Sequence, residues 1–200
     1  AIKPVLLRDL RLMFGPDVER ADDFIENHFS FIDQKPLSDA EDGDVDWLLD
    51  RARDAVVRFG CDMLIIDPWN EIEHKRRRDE NETEYVSRAI RTVKRFAVSS
   101  NVLVAVVAHP QKMNVGKEST VREPNLYDIS GSANWYNKAD VGVVIHRNSL
   151  NSNLVTVAVK KVRVKPEMGR EGIVQFEFEQ KTRRYLDAPE SLRFQSEDAA

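Results

Sequence analysis

Three places in this sequence put ionisable side chains where chemistry could be done. Asp67 ends the apolar run Met63-Leu64-Ile65-Ile66 and is followed by Pro68. His109 ends a second, longer apolar run from Val102 to Ala108. Lys161 and Arg163 stand two residues apart in an alternating segment. A carboxylate and an imidazole at neighbouring strand tips could bind metal, act as acid and base, or sense a phosphate. Alternate residues of a strand point the same way, so Lys161 and Arg163 can act together. Each has a plainer reading: Asp67 as the cap of the next turn, His109 as a structural strand end, Lys161 and Arg163 as solvent-facing strand charges.

The elements that must position these residues follow from periodicity. Both apolar runs lack the alternation of a half-exposed strand and read as strands buried on both faces. Between them Tyr85, Val86, Ala89, Ile90, Val93, Phe96 and Ala97 mark the buried stripe of a helix that runs to about Ser99 and is broken by Asn101. Strand, helix, strand predicts a right-handed unit with parallel strands, which brings Asp67 and His109 to one edge of a sheet. Upstream, Val45, Leu48, Leu49, Ala52, Ala55, Val56 and Phe59 share a helical face, with Asp44 as N-cap and Gly60 at the C-terminus. The charge-dense stretch from His74 to Glu82 reads as a solvated loop.

The ends of the chain are less regular. Residues 1 to 31 carry two helical patterns, around Val5, Leu6, Leu10, Met13 and Phe14 and around Phe24 and Ile25; His28 to Ile32 alternates like a short strand, and Lys35 to Asp46 reads as a polar surface loop. Pro110 to Asn125 is a long loop holding Lys112, Lys117 and Arg122, and loops of that length are uncommon unless functional. Ser130 or Ser132 can start a short helix whose aromatics face the sheet. A third strand, Val141 to His146, and an alternating one, Leu154 to Val164, follow. Gly169 and Gly172 flank a turn into Ile173 to Glu179, so the sheet is expected to finish in an antiparallel hairpin, with a frayed tail from Asp187.

Composition narrows the classes. Two hundred residues with 42% hydrophobic content can bury one substantial core. A net charge of -4 rules out a globally basic, nucleic-acid-coating protein, so phosphate contacts must come from local clusters. The single cysteine, Cys61, excludes an intramolecular disulfide and fits a reducing compartment. No apolar run approaches the roughly 18 residues needed to span a bilayer, and no secretory signal pattern opens the chain. These features set the expectation of a cytoplasmic or mitochondrial-matrix protein with no membrane partner.

The blocks LIIDPWNEI, VVAHPQKM, YDISGSANWYNKAD and KKVR followed by glycines, in this order and spacing, resemble the RecA-like helicase domain of Twinkle and the phage primase-helicases, a branch related to the replicative helicase DnaB. The resemblance covers roughly residues 45 to 185. It implies an α/β fold with a mostly parallel RecA-like sheet flanked by helices and ending in an antiparallel hairpin. It also implies a ring, expected to be a hexamer, that uses ATP or another NTP with Mg²⁺ and translocates on single-stranded DNA, in some relatives with a primase domain on the same chain.

Carried onto this sequence, the resemblance makes Asp67 the Walker B aspartate, serving metal and nucleotide, and His109 the reporter of the γ-phosphate state. Arg163 resembles an arginine finger with Lys161 beside it, and Asn137 stands where relatives often carry a nucleotide-sensing glutamine. Lys112, Lys117, Arg122, Ser132 and Lys138 fall in segments resembling DNA-binding channel loops. On this reading residues 1–44 are a helical connecting segment of the same domain, 45–186 the core from Walker B onward, and 187–200 a tail.

No G-x-x-x-x-G-K-[ST] phosphate loop occurs in the 200 residues. The chain is therefore expected to be the C-terminal part of a helicase domain and inactive in ATP hydrolysis by itself. Two other readings stand beside the helicase: a non-catalytic ring-forming or DNA-binding module without the phosphate loop, and another RecA-like ATPase of the recombinase or clock type.

Overall fold

A computed structural model describes residues 2–32, 43–111, 123–129, 132–147 and 152–188. The chain divides into two compact units. One comprises residues 30–111 and 127–138; the other comprises 1–29, 112–126 and 139–200.

The first unit is built on two helices and a parallel strand pair. Helix α3 (Val45–Phe59) starts where Asp44 accepts a hydrogen bond from the Trp47 amide at 2.9 Å and stops at Gly60, whose φ of 66° lies in the left-handed region that glycine adopts without strain. Strand β1 (Met63–Ile66) leads to helix α4 (Glu82–Ser100), and α4 to strand β2 (Leu103–Val106). The α4 N-terminus is a full capping box: the Asn81 side chain accepts from the Glu84 amide while the Glu84 carboxylate accepts from the Asn81 amide, both at 3.0 Å. Asn101 ends α4 in the left-handed region. Strands β1 and β2 pair in parallel, Met63 with Leu103 through Ile66 with Val106. The expected strand-helix-strand unit is present, with Asp67 and His109 beyond the same ends of two adjoining strands.

Burial along this pair differs from expectation. Leu64, Ile66, Val104 and Val106 face a core formed with α3, α4 and Trp135. Met63, Ile65 and Leu103 are 45%, 54% and 64% exposed. Side chains alternate along a strand, and the helices of this unit cover one face only, so the runs are apolar on both faces but buried on one.

The second unit holds helices α1 (Ile2–Phe14) and α2 (Val18–His28) and a four-stranded antiparallel sheet in the order β3 (Val141–His146), β4 (Leu154–Val162), β5 (Gly172–Glu179), β6 (Arg184–Asp187). The antiparallel end is thus larger than a hairpin. Residues 28–32 form no strand. His28 closes α2 instead, its ring stacked 4.3 Å from Phe24, and the Phe29 amide donates to the Ile25 carbonyl as the C-cap. Strand β6 adds an edge along Phe176–Glu179. Close approach fixes one glycine: a Cβ on Gly142 of β3 would lie 2.2 Å from Leu126 Cδ1. The expected polar loop at 35–46 and the 187–200 tail fall largely outside the described residues. No helix among those described is long and apolar enough to cross a membrane.

Candidate nucleotide and DNA site

The tips of β1 and β2 stay laced together beyond the last ladder pair. The Val107 amide donates to the Ile66 carbonyl at 2.9 Å and the Trp69 amide to the Val107 carbonyl at 2.8 Å. Asp67 lies between these two bonds. The backbone then makes a single 3₁₀ turn, Trp69–Glu71, and Asn70 Oδ1 accepts from the His109 amide at 3.3 Å. Asp67 and His109 are both exposed, while Ile66 and Trp69, on either side of Asp67, are only 4% and 5% exposed. The carboxylate therefore projects from a base fixed by two buried residues. As a hard oxygen donor it suits Mg²⁺. Among the described residues no group of three or more His, Cys, Asp or Glu side chains could hold a metal.

The segment after Asp67 is held against α4. Arg88 donates to both oxygens of Glu80, at 2.7 and 2.8 Å, and to the Lys75 carbonyl at 3.2 Å. The Glu80 side chain is 9% exposed, and its hydrogen bonds from Arg88 hold its carboxyl down at about 2. The stretch from His74 to Glu82 is therefore not a plain solvated loop. Its acidic half anchors to the helix by an ion pair eight residues apart, closed across the helix start. Closer to Asp67, the His74 ring packs 5.2 Å from Trp69 and its Nδ1 is hydrogen-bonded to the Tyr85 hydroxyl at 3.0 Å. Burial lowers the His74 pKa, with Glu82 opposing, and burial pushes the Tyr85 hydroxyl up to about 12.

Helix α5 (Ser132–Lys138) joins the same unit. Trp135 is 8% exposed, packed edge-on against Trp69. Asn134 Nδ2 donates to the Thr83 carbonyl at 3.0 Å; Lys138 Nζ donates to the Ser87 carbonyl at 3.0 Å and its Oγ at 2.6 Å; Lys94 Nζ donates to the Lys138 carbonyl at 3.1 Å. The Lys138 ammonium is thus engaged by α4, and burial lowers its pKa. Asn137 is exposed. The approach to α5 is tied to the β2 tip, through a bridge between Pro110 and Ile129 and a 2.8 Å bond from the Gln111 amide to the Asp128 carbonyl. Lys112, Lys117 and Arg122 lie outside the described residues, as does the side chain of Ser132.

Asp67, His109, Asn137 and Lys138 accordingly share one unit, and Lys161 and Arg163 belong to the other. There, Lys161 pairs in register with Gly142 across the β3–β4 ladder. Arg163 follows β4, with Nε 3.0 Å from Asp140 Oδ1. Four residues escaped sequence reasoning: Asn70, Asp140, and the ion-paired Glu80 and Arg88. Each contact joins positions whose spacing fits neither strand nor helix periodicity, so no sequence signal singled them out.

With this geometry in place, comparison with known proteins decides the family. Residues 17–187 match the family described as the DnaB-like helicase C terminal domain. The chain belongs to that family. Over 149 residues it is 41% identical to Twinkle homolog protein, chloroplastic/mitochondrial, of Arabidopsis thaliana, a match covering 72% of this chain and 20% of that protein. Over 121 residues it is 26% identical to the DNA helicase/primase of Enterobacteria phage T3, covering 59% of this chain and 21% of that protein. The chain thus spans about a fifth of the length of these relatives.

Among solved structures, the fold recurs in one described as an ATPase domain, with a TM-score of 0.72 at 18% identity over 94% of this chain and 71% of that one. It recurs again in a DnaB-like replicative helicase whose structure describes its interactions with primase, with a TM-score of 0.70 at 18% identity over 92% of this chain and 47% of that one. These likenesses establish the RecA-like α/β fold expected from the sequence.

Proposed function

We propose that this chain is part of an ATP-dependent, replicative-type DNA helicase that works as a ring, a hexamer, translocating on single-stranded DNA. The observation that carries the reading is the placement of Asp67 and His109 beyond adjoining parallel strands, laced through Asn70, in a member of the DnaB-like helicase family. Open α/β sheets bind ligands at the carboxyl ends of their strands.

Each residue takes a role that its chemistry permits. Asp67 holds Mg²⁺ through water against the nucleotide phosphates, which neutralises charge there when the cation is bound. His109, tethered by its amide to the turn after Asp67, senses the γ-phosphate and passes its state along Pro110 and Gln111 to the segment before α5. Asn137 contributes to nucleotide sensing from α5. Arg163, with Lys161 beside it, reaches the nucleotide of a neighbouring subunit, where a planar guanidinium can stabilise developing phosphoryl charge. Lys112, Lys117, Arg122, Ser132 and Lys138 contact the single-stranded DNA; the hydrogen bonds of the Lys138 ammonium to Ser87 also tie α5 to α4.

On this reading residues 45–186 are the helicase core, 1–44 the connecting segment and 187–200 a tail. A primase domain on the same chain accords with the phage relative, and an organelle matrix or phage-infected cytoplasm with the two curated relatives. The complete parent protein tests the proposal: it should hydrolyse ATP, more so with single-stranded DNA, and unwind a forked duplex, and Asp67→Ala should abolish both while rings still form. Hydrolysis that survives Asp67→Ala would remove the assignment. The 200 residues alone, without a phosphate loop to supply backbone amides and a lysine, should not turn over ATP.

A further inference from the structure

Arg163 stands one residue beyond β4 and Asp140 one residue before β3, and Val141 pairs with Val162 as the last rung of that ladder. The two residues extend the ladder by one more rung, with the Arg163 amide donating to the Asp140 carbonyl at 2.8 Å. The side chains repeat the contact. Arg163 Nε lies 3.0 Å from Asp140 Oδ1, and Nη2 donates to the Ala139 carbonyl at 3.3 Å. A guanidinium is a rigid plane of five donors, so fixing Nε and Nη2 on two adjacent acceptors fixes the plane.

The side chains of this pair are 43% and 45% exposed. Ion pairs this open to water contribute little to stability. What the arrangement does accomplish is to order a long, rotamer-rich cation at the surface. An arginine that must stabilise charge appearing in a transition state acts best when oriented beforehand, since none of the reaction's free energy then goes into reorganising it.

Resting on the reading of Arg163 as a finger, we infer that Asp140 is its positioning residue. The Asp140 carboxylate, with the Ala139 carbonyl, holds the guanidinium in one orientation before a nucleotide arrives in the neighbouring subunit. A carboxylate so placed also partly neutralises the arginine, so the opposite device, a latch that restrains the finger, makes the opposite prediction.

Steady-state ATP hydrolysis by the complete ring-forming protein distinguishes them. Asp140→Ala should lower kcat by roughly ten- to a hundredfold, the scale of a misplaced catalytic group, with KM for ATP, ring assembly and the thermal midpoint unchanged. Asp140→Asn, which retains an oxygen acceptor for Nε, should recover much of that loss and covers the case in which the alanine variant does not fold. On an Arg163→Ala background, Asp140→Ala should take nothing further from the residual rate. A rate that rises or does not change in Asp140→Ala, or an equal fractional loss without Arg163, overturns the inference. If Arg163→Ala itself leaves hydrolysis intact, the finger assignment fails and Asp140 falls with it; if Arg163→Ala is inactive and Asp140→Ala is not, the positioning role alone is wrong.

Discussion

Trp135 stands edge-on to Trp69, ring centroids 5.1 Å apart and planes at 88°. Trp69 is two residues from Asp67 and Trp135 two residues from Asn137, so one aromatic contact joins the floors of two proposed nucleotide-facing positions. Edge-to-face geometry places the positive rim of one ring against the negative face of the other, a preference beyond simple burial.

Trp135→Ala should therefore cost more than an average core truncation. Loss of a buried tryptophan removes about 3–5 kcal/mol of stability, while the hydrogen bonds of α5 to Thr83, Ser87 and Lys94 and the stacking of Tyr136 on Tyr127 would remain. Urea unfolding of the chain measures the effect, and Trp135→Phe should restore a large part. A cost below about 1 kcal/mol, typical of surface changes, would show that α5 is not seated on this core.

The Glu80–Arg88 pair predicts a pH dependence of definite sign. The folded-state value of Glu80, about 2, lies below its ordinary 4.5. Its pairing therefore stabilises the protein above pH 4.5 and fades as pH falls from there to about 2. The stability difference between the wild type and Glu80→Gln should shrink across that window. A difference that holds constant to the acid end would mean that Glu80 is not ionised selectively in the folded state.

Replacing both Lys112 and Lys117 by alanine should weaken single-strand binding by the complete ring for all sequences alike. The slope of log affinity against log salt should fall by roughly 0.7 for each phosphate no longer neutralised. An unchanged slope assigns this loop to ordinary surface.

Arg163→Ala should keep rings intact while reducing hydrolysis by a factor of order 10³ to 10⁵. Because the proposed finger would act across subunits, mixing decides the matter. Rings combining Arg163→Ala subunits with Asp67→Ala subunits should regain hydrolysis wherever an intact nucleotide site meets a neighbour that supplies Arg163. Co-assembled rings that stay inactive at every ratio would make Arg163 a surface charge.

How far the sequence foretold this arrangement varies with the kind of interaction. Asp44 and Gly60 bound α3 as their local chemistry requires, and the parallel pairing that sets Asp67 beside His109 follows from two apolar runs around one amphipathic helix. Periodicity fails where a neighbour decides. Met63 and Ile65 are as apolar as a doubly covered strand demands, but the helices of their unit lie on one side only. The alternation of His28 to Ile32 loses to α2, which takes His28 into its last turn. Arg184–Asp187 becomes a strand because β5 offers an edge. Asn70 and Asp140 are polar residues in turns, and only the tertiary fold gives them partners.

The spatial order of the four-stranded sheet is also its order along the chain, each strand pairing with the next. Strands β1 and β2 instead meet only after residues 67–102, with all of α4, have found their place. Closing short loops is entropically cheaper and faster than closing long ones. The meander from β3 to β6 is thus expected to assemble early from local contacts, and the neighbouring strand tips that carry Asp67 and His109 late. On refolding, amide protection should appear at Val157 and Val174 before Leu64 and Ala105, and slow-growing protection at the tips would mark the proposed nucleotide-facing edge as the last part of the chain to become ordered.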